Sequence, residues 1–327
     1  MATPIWKDEV LRWANLKGET QLSISADGAV VYQCKLTSPP GSNVMSMNIN
    51  HIVKDYLSSK INFNRNTKIY QQPMFKRTFD MSSFTQNGVR TVTKYNDWSY
   101  ESRQPSDYCE SLSSPLSNIV DPRQILFSTI AKVSDGVAGV VRAEWFNSAE
   151  NDVIATVIPA PCTTLCIPLT DIPKAARIEI YSDEDECIGL YMVQKTCADY
   201  CLYYLNAYGG YDHLLIKGTA LRTDSYARTE ITRDVSNATL LHGKQCIATE
   251  ITPKWRLNTD YLTDEQWAKT HHLLGSTHVL LHNLATDEIV PVVITSSTAE
   301  FKTYRNQGNK KSFLTIDVEA SVKRMRK

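Results

Sequence analysis

Apolar and polar positions alternate along much of this chain, and the alternation predicts strands. It is clearest near the C-terminus, where Leu314, Ile316, Val318, Ala320 and Val322 share one face and Thr315, Asp317, Glu319 and Ser321 the other. Such a strand has one buried and one wet face. Residues 21–25 and 29–36 flank Asp27-Gly28, a hairpin signal. Phe75, Phe79 and an expected Asn87-Gly88 turn continue the β pattern, and 125–133, 137–145, 153–159 and 176–181 are further strand candidates. Residues 203–205 form an aromatic run that meets the turn Asn206-Ala207-Tyr208-Gly209-Gly210-Tyr211-Asp212, and 213–217 predict the return strand. Gly209 and Gly210 supply a backbone conformation that other residues disfavour.

The helical period of about 3.6 residues surfaces in two places. Ile49, Ile52, Val53, Tyr56 and Leu57 repeat at that spacing, with Asn50 as the cap. The better-defined helix spans 263–274, with Thr263 as N-cap, Gln266 completing a capping box, Leu262 stapled to Trp267, and Gly275 as the stop. After it come strands at 277–282 and 289–295 around the turn Ala285-Thr286-Asp287, and a last pair at 298–304 and 312–322. Residues 1–16 read as an arm or short helix carrying Trp6, Leu11 and Trp13, and 102–124, rich in Ser, Pro and Asp, as a long loop. The fold class is therefore mainly β: two or three sandwich-like domains, with one short helix in the first and one in the last. The boundaries expected are an arm at 1–16, a first β domain at 17–130 that includes loop 102–124, a second at 131–199, and a C-terminal β domain at 200–327.

Composition narrows the function classes. The 327 residues carry 35 basic and 35 acidic side chains, so no global field favours nucleic acid or a membrane surface. No run of apolar residues reaches the length of a membrane span, and the start of the chain lacks the apolar core of a signal peptide. Folding in a cytoplasm is the expectation, with the eight cysteines as thiols.

Three constellations invite chemistry. Cys162-x3-Cys166 and Cys197-x3-Cys201 could supply four thiolates to zinc, but zinc turns prefer two intervening residues, and core packing is the favoured account. Asp183-Glu184-Asp185-Glu186 lacks the loop of a calcium site and reads as a hairpin turn between Tyr181 and Cys187. His271 and His272 are adjacent on a helix and point apart, while His278 and His282 share a strand face; His213 is a strand residue. No nucleophile elbow, phosphate loop, zincin or dinucleotide motif is present. No cofactor and no catalytic residue is expected. A glycosidase needs only two carboxylates brought together in space, so a glycan-active enzyme stays open as an alternative.

The run Leu202-Tyr203-Tyr204-Leu205-Asn206-Ala207-Tyr208-Gly209-Gly210-Tyr211-Asp212 with Lys217-Gly218 resembles tail proteins of Bacteroidales phages and prophages. So do Tyr261-Leu262-Thr263-Asp264-Glu265-Gln266, Val279-Leu280-Leu281, Ile289-Val290-Pro291-Val292-Val293-Ile294 and Lys302-Thr303-Tyr304-Arg305-Asn306. The resemblance implies a virion structural protein, assembled in the host cytoplasm into a ring or hub of the tail or baseplate. It implies no catalytic residues. The partners expected are copies of itself and other tail proteins, with Trp6, Trp13, Trp98, Tyr100 and Tyr208 as candidate interface residues. A module binding a host-surface glycan or receptor, with Trp98 and Tyr100 stacking on sugar rings, is the alternative.

Overall fold

The structure, a computed structural model, describes residues 3–4, 10–14, 19–26, 28–37, 44–49, 51–53, 56, 70–72, 76–83, 86–95, 110–111, 115–131, 141–147, 151–157, 163–171, 175–181, 187–206, 210–232, 244–296, 313–322 and 324–326. It is mainly β, as the alternation predicts. The chain divides into two compact units. The first comprises Met1–Ser114, Asn118–Gln194 and Asn206–Asp212; the second comprises Pro115–Ser117, Lys195–Leu205 and His213–Lys327.

The first unit opens with β1 (Thr3–Pro4), β2 (Val10–Ala14), β3 (Glu19–Ala26), β4 (Ala29–Thr37), β5 (Val44–Asn48), β6 (Tyr70–Gln72), β7 (Lys76–Ser83) and β8 (Gln86–Tyr95). Five of these form a sheet in the order β1-β8-β7-β3-β4. Leu22, Ile24 and Ala26 recur every second residue on β3 and are buried with Phe79 beneath Ile49, Ile52 and Val53, at the predicted helix, where residues 51–53 and 56 are helical. Tyr56 meets the Phe79 ring edge-on at 5.7 Å. The expected β3–β4 hairpin forms, Ala26 pairing with Ala29 and Gly28 at φ +79°, which favours glycine, while Asp27 lies outside the described residues.

Two expectations here need correction. Val10–Ala14 in the supposed arm is a strand, paired antiparallel with Val44–Asn48. Asn87-Gly88 is not a turn: Ser83 pairs with Gln86 and Ser82 with Val89, so the two residues bulge out within β8 and the reversal lies before them.

The same unit continues with β9 (Glu110–Ser111), β10 (Ile119–Val120), β11 (Ile125–Ala131), β12 (Val141–Asn147), β13 (Asn151–Val157), β14 (Thr163–Pro168), β15 (Ala175–Tyr181) and β16 (Cys187–Val193). Sheets β6-β14-β11-β9 and β10-β16-β15-β12-β13 share one core of Val120, Leu126, Leu165, Ile167, Leu169, Ile178, Ile180 and Tyr191, a β-sandwich arrangement. Tyr181 pairs with Cys187, so a hairpin does join β15 to β16, although residues 182–186 lie outside the described set.

The segment 102–124, expected as a loop, contains β9 and β10, and Leu116 within it is buried in the core of the second unit. Its polar residues build a tight connection instead of a solvated one. The Asp121 carboxylate, fully buried, accepts from Arg123 Nε at 2.8 Å and from the Arg123 backbone N–H at 3.0 Å, while Gln124 Oε1 accepts from the Asp121 N–H.

The second unit is built on β17 (Tyr200–Leu205), β18 (Tyr211–Ile216, of which Tyr211 and Asp212 count with the first unit), β19 (Ala220–Thr232), β20 (Lys244–Asn258), β21 (Val279–Asn283), β22 (Glu288–Ile294), β23 (Thr315–Ala320) and β24 (Arg324–Arg326). They make one sheet in the order β18-β17-β21-β22-β23-β20-β19, with β24 also on β20. Helix α1 (Asp264–Leu274) carries the predicted capping box: Thr263 Oγ1 accepts from the Gln266 N–H, and Gln266 Oε1 accepts from the Thr263 N–H. Leu262 and Leu273 join Leu202, Tyr204, Leu257, Leu281 and Ile316 in the core. β23 alternates, with Leu314, Ile316, Val318 and Ala320 buried; it pairs with β20 and β22, and the expected partner segment 298–304 lies outside the described residues. Val322, expected on the buried face, is exposed because the strand ends at Ala320.

Candidate functional site

Three arrangements stand out from the fold, two buried and one exposed. The first is the aromatic hairpin. β17 and β18 are buried almost throughout, because both faces of these strands carry apolar side chains. The chain reverses on Asn206: its N–H donates to the Gly210 carbonyl at 2.8 Å, its Oδ1 accepts from the Gly210 N–H at 2.8 Å, and its Nδ2 donates to Asp212 Oδ2 at 2.8 Å. The structure thus unites Asn206, Gly210 and Asp212 from the predicted turn, while Gly209 lies outside the described residues. Asn suits the position because its side chain offers a peptide-like donor and acceptor to a backbone that has left the ladder. Next to this turn, Tyr211 packs on Phe127 at 5.8 Å. Burial, and after it the charge on Cys166, push the Tyr211 phenol above its usual range.

The second is a hydrogen-bonded line through the sheet of the second unit. Tyr203 Oη lies 3.0 Å from His282 Nδ1, and His282 Nε2 lies 3.0 Å from Asp287 Oδ1. A carboxylate only accepts, so Nε2 carries a proton, and in the neutral imidazole Nδ1 then accepts from the Tyr203 hydroxyl. The rings of Tyr203 and His282 stack at 5.9 Å. Both are fully buried, whereas the Asp287 side chain is 59% exposed. Asp287 has φ 61°, a left-handed conformation that Asp tolerates better than most residues. No reacting atom is exposed along this line except the Asp287 carboxylate. The line anchors β17, β21 and the turn after β21 to one another.

His271, His272 and His278 lie on or beside the helix that precedes β21. His271 and His272 were expected to point apart, yet their rings lie 3.9 Å from each other, with His271 exposed and His272 buried. Burial first, then His271 and Lys269, push the His272 imidazole down to about 4. His278 precedes β21 and is also lowered, by burial.

Of the four cysteines weighed for zinc, Cys166 on β14 and Cys201 on β17 are buried, Cys197 is exposed and Cys162 lies outside the described residues. Among the described residues no three His, Cys, Asp or Glu side chains converge in a metal-holding group, and no helix is long and apolar enough to cross a membrane.

The third arrangement is the β19–β20 hairpin, with thirteen residues on one strand and fifteen on the other. At roughly 3.3 Å per residue β19 extends for about 40 Å. Lys254–Asn258 of β20 pair with β23 and Thr249–Ile251 with β24, but beyond these, among the described residues, β20 pairs only with β19. Nearly every β19 residue is exposed on either face, including Leu221 at 60% and Tyr226 at 57%. β19 ends the sheet, so its outer edge pairs with no strand among the described residues. The sequence offered a faint signal for this ribbon: a long strand-compatible run in which apolar residues hold neither face.

Of the candidate interface residues, Trp6, Trp98, Tyr100 and Tyr208 lie outside the described residues, and Trp13 sits on β2 opposite Met45. No family model and no curated protein matches this chain.

Proposed function

We propose that this chain is a structural protein of a phage-like tail or baseplate, working by contact with copies of itself and with neighbouring tail proteins and not by catalysis. The observation that carries the reading is β19, a thirteen-residue strand exposed at nearly every residue, which flanks β20 and leaves the end of the sheet as an open edge. An element that ordered, with so little of its own surface buried, is suited to a partner's surface, because open edges are otherwise shortened, covered or bent. The resemblance of residues 202–212 and 261–306 to phage tail proteins supplies the setting. The buried hydrogen bonds of Asn206 to Asp212, Tyr203 to His282 and Arg123 to Asp121 serve turns and strand pairing, which supports a mechanical role over a chemical one.

The test is mass spectrometry of purified particles from a host that carries this sequence, beside negative-stain imaging and sizing chromatography of the isolated protein. Recovery of the chain in stoichiometric amount with tail components is the expected result. A chain absent from the particles, or one that turns over a bacterial glycan, overturns the reading.

A further inference from the structure

The open edge of β19 has a charge order that selects its partner. Along one face run Arg222, Asp224, Tyr226, Arg228 and Glu230; along the other run Leu221, Thr223, Ser225, Ala227, Thr229 and Ile231. The first series is complementary to its own reverse. We propose that β19 pairs antiparallel with β19 of a second copy, about a twofold axis at Tyr226.

In that register Arg222 stands opposite Glu230 of the second copy, Asp224 opposite Arg228, Tyr226 opposite Tyr226, and the two charge pairs recur by symmetry. On the other face Leu221 meets Ile231, Thr223 meets Thr229, and Ser225 meets Ala227. The Arg–Glu, Asp–Arg, Tyr–Tyr and Thr–Thr pairs are favourable across strands, Leu221 and Ile231 pair apolar surface, and Ser225 with Ala227 is neutral. A twofold axis normal to the sheet permits register changes only in steps of two in the sum of paired residue numbers. The nearest four alternatives each oppose like charges: Arg222 to Arg228, Asp224 to Glu230, Asp224 to Asp224, or Arg228 to Arg228. The charges therefore specify one register as well as one partner.

The local structure suits this use. The irregularity between Thr229 and Glu230 in the β19–β20 pairing places the extra residue, Ile247, on β20, so β19 itself runs unbroken. It contains neither Pro nor Gly to interrupt a ladder. Arg222 is presented on the face by Trp255, which it overlies at 5.7 Å, and by Asp224, which accepts from its Nε at 3.1 Å. Thirteen residues on each side allow about a dozen inter-chain backbone hydrogen bonds. A protected edge would carry charges of one sign to repel its own copy; this one carries two of each in an order that attracts it.

The inference deepens the assembly reading and rests on the ribbon being a contact element. Its test uses the full chain in sedimentation velocity over a range of concentrations. The wild type is expected to dimerise. Asp224→Arg alone and Arg228→Asp alone each oppose like charges at two symmetry-related pairs and raise the dimer Kd by about tenfold or more. An equimolar mixture of the two single variants restores a dimer, now mixed, because every pair is again of opposite sign. The double variant Asp224→Arg/Arg228→Asp restores it within one chain. Misfolding cannot produce that rescue. A monomeric wild type, single variants that dimerise as wild type does, or a mixture that stays monomeric overturns the proposal. An oligomer indifferent to all these variants rejects β19 self-pairing and leaves assembly standing, while particle composition tests assembly in a tail separately.

Discussion

At the scale of single residues, the firmest positions are those where the backbone or a buried polar group leaves no freedom. A Cβ added to Gly218 would stand 2.5 Å from the Asn258 carbonyl oxygen and 2.9 Å from that of Thr259. Both are backbone atoms that cannot step aside. Gly218→Ala is expected to cost the second unit about 1–3 kcal/mol, read as a lower urea midpoint at unchanged slope. The Tyr203–His282–Asp287 line gives a graded expectation. Tyr203→Phe removes a hydroxyl that donates to a buried imidazole and should cost about 1–3 kcal/mol. Asp287→Asn keeps an accepting oxygen on an exposed residue and should cost well under 1 kcal/mol. Equal losses from both substitutions would show that the line does not anchor the strands. None of this was legible beforehand: Tyr203 and His282 are 79 positions apart, and only the β17–β21 pairing brings them together. The close approach of Gly218 to Asn258 depends on where β20 lies across the sheet, which local sequence does not reveal.

At the scale of elements, α1 was the most legible part of the chain because its start is written locally: Thr263 and Gln266 three residues apart, with Leu262 before them. It also holds the clearest pH response. His272 is uncharged at neutral pH whether the chain is folded or not. As the pH drops below its ordinary value of 6.5 the unfolded chain takes up a proton, while the folded chain resists until about 4. This part of the stability is therefore full above about 6.5 and is lost as the pH falls from there to about 4, with His278 acting in the same direction. The expected loss is about 1–3 kcal/mol, and His272→Gln should flatten the dependence in denaturation curves at pH 7, 5 and 4. A slope unchanged in the variant would assign the response to other groups. Strands were legible wherever one face is wet, as in β23. They were harder to read in β17 and β18, buried on both faces, and in β19, exposed on both, because alternation carries a signal only when the two faces differ.

At the scale of the whole molecule, the core and the contact element are separable. The core of the second unit takes Trp255 and Leu257 from β20 and no residue from β19. Replacing residues 229–248 with a short Gly-containing turn should leave the thermal midpoint within a few degrees of the wild type and abolish dimerisation. A large drop in midpoint would show that the distal ribbon belongs to the folding unit. The alternation of sheet-forming segments revealed the mainly β class, and one sandwich arrangement follows from the two sheets around Val120, Leu165 and Ile178. How strands that are distant in sequence become neighbours, as β20 does with β23, was not readable, because register is decided by packing across the sheet.

A bare strand forty ångströms long is also a seed for fibres. The order of charges on β19 limits that hazard by arithmetic. A contact symmetric about Tyr226 uses the same edge on both copies, so a pair once formed has no second β19 to offer. Growth along this edge ends at two chains, and any larger body must be built through a different surface.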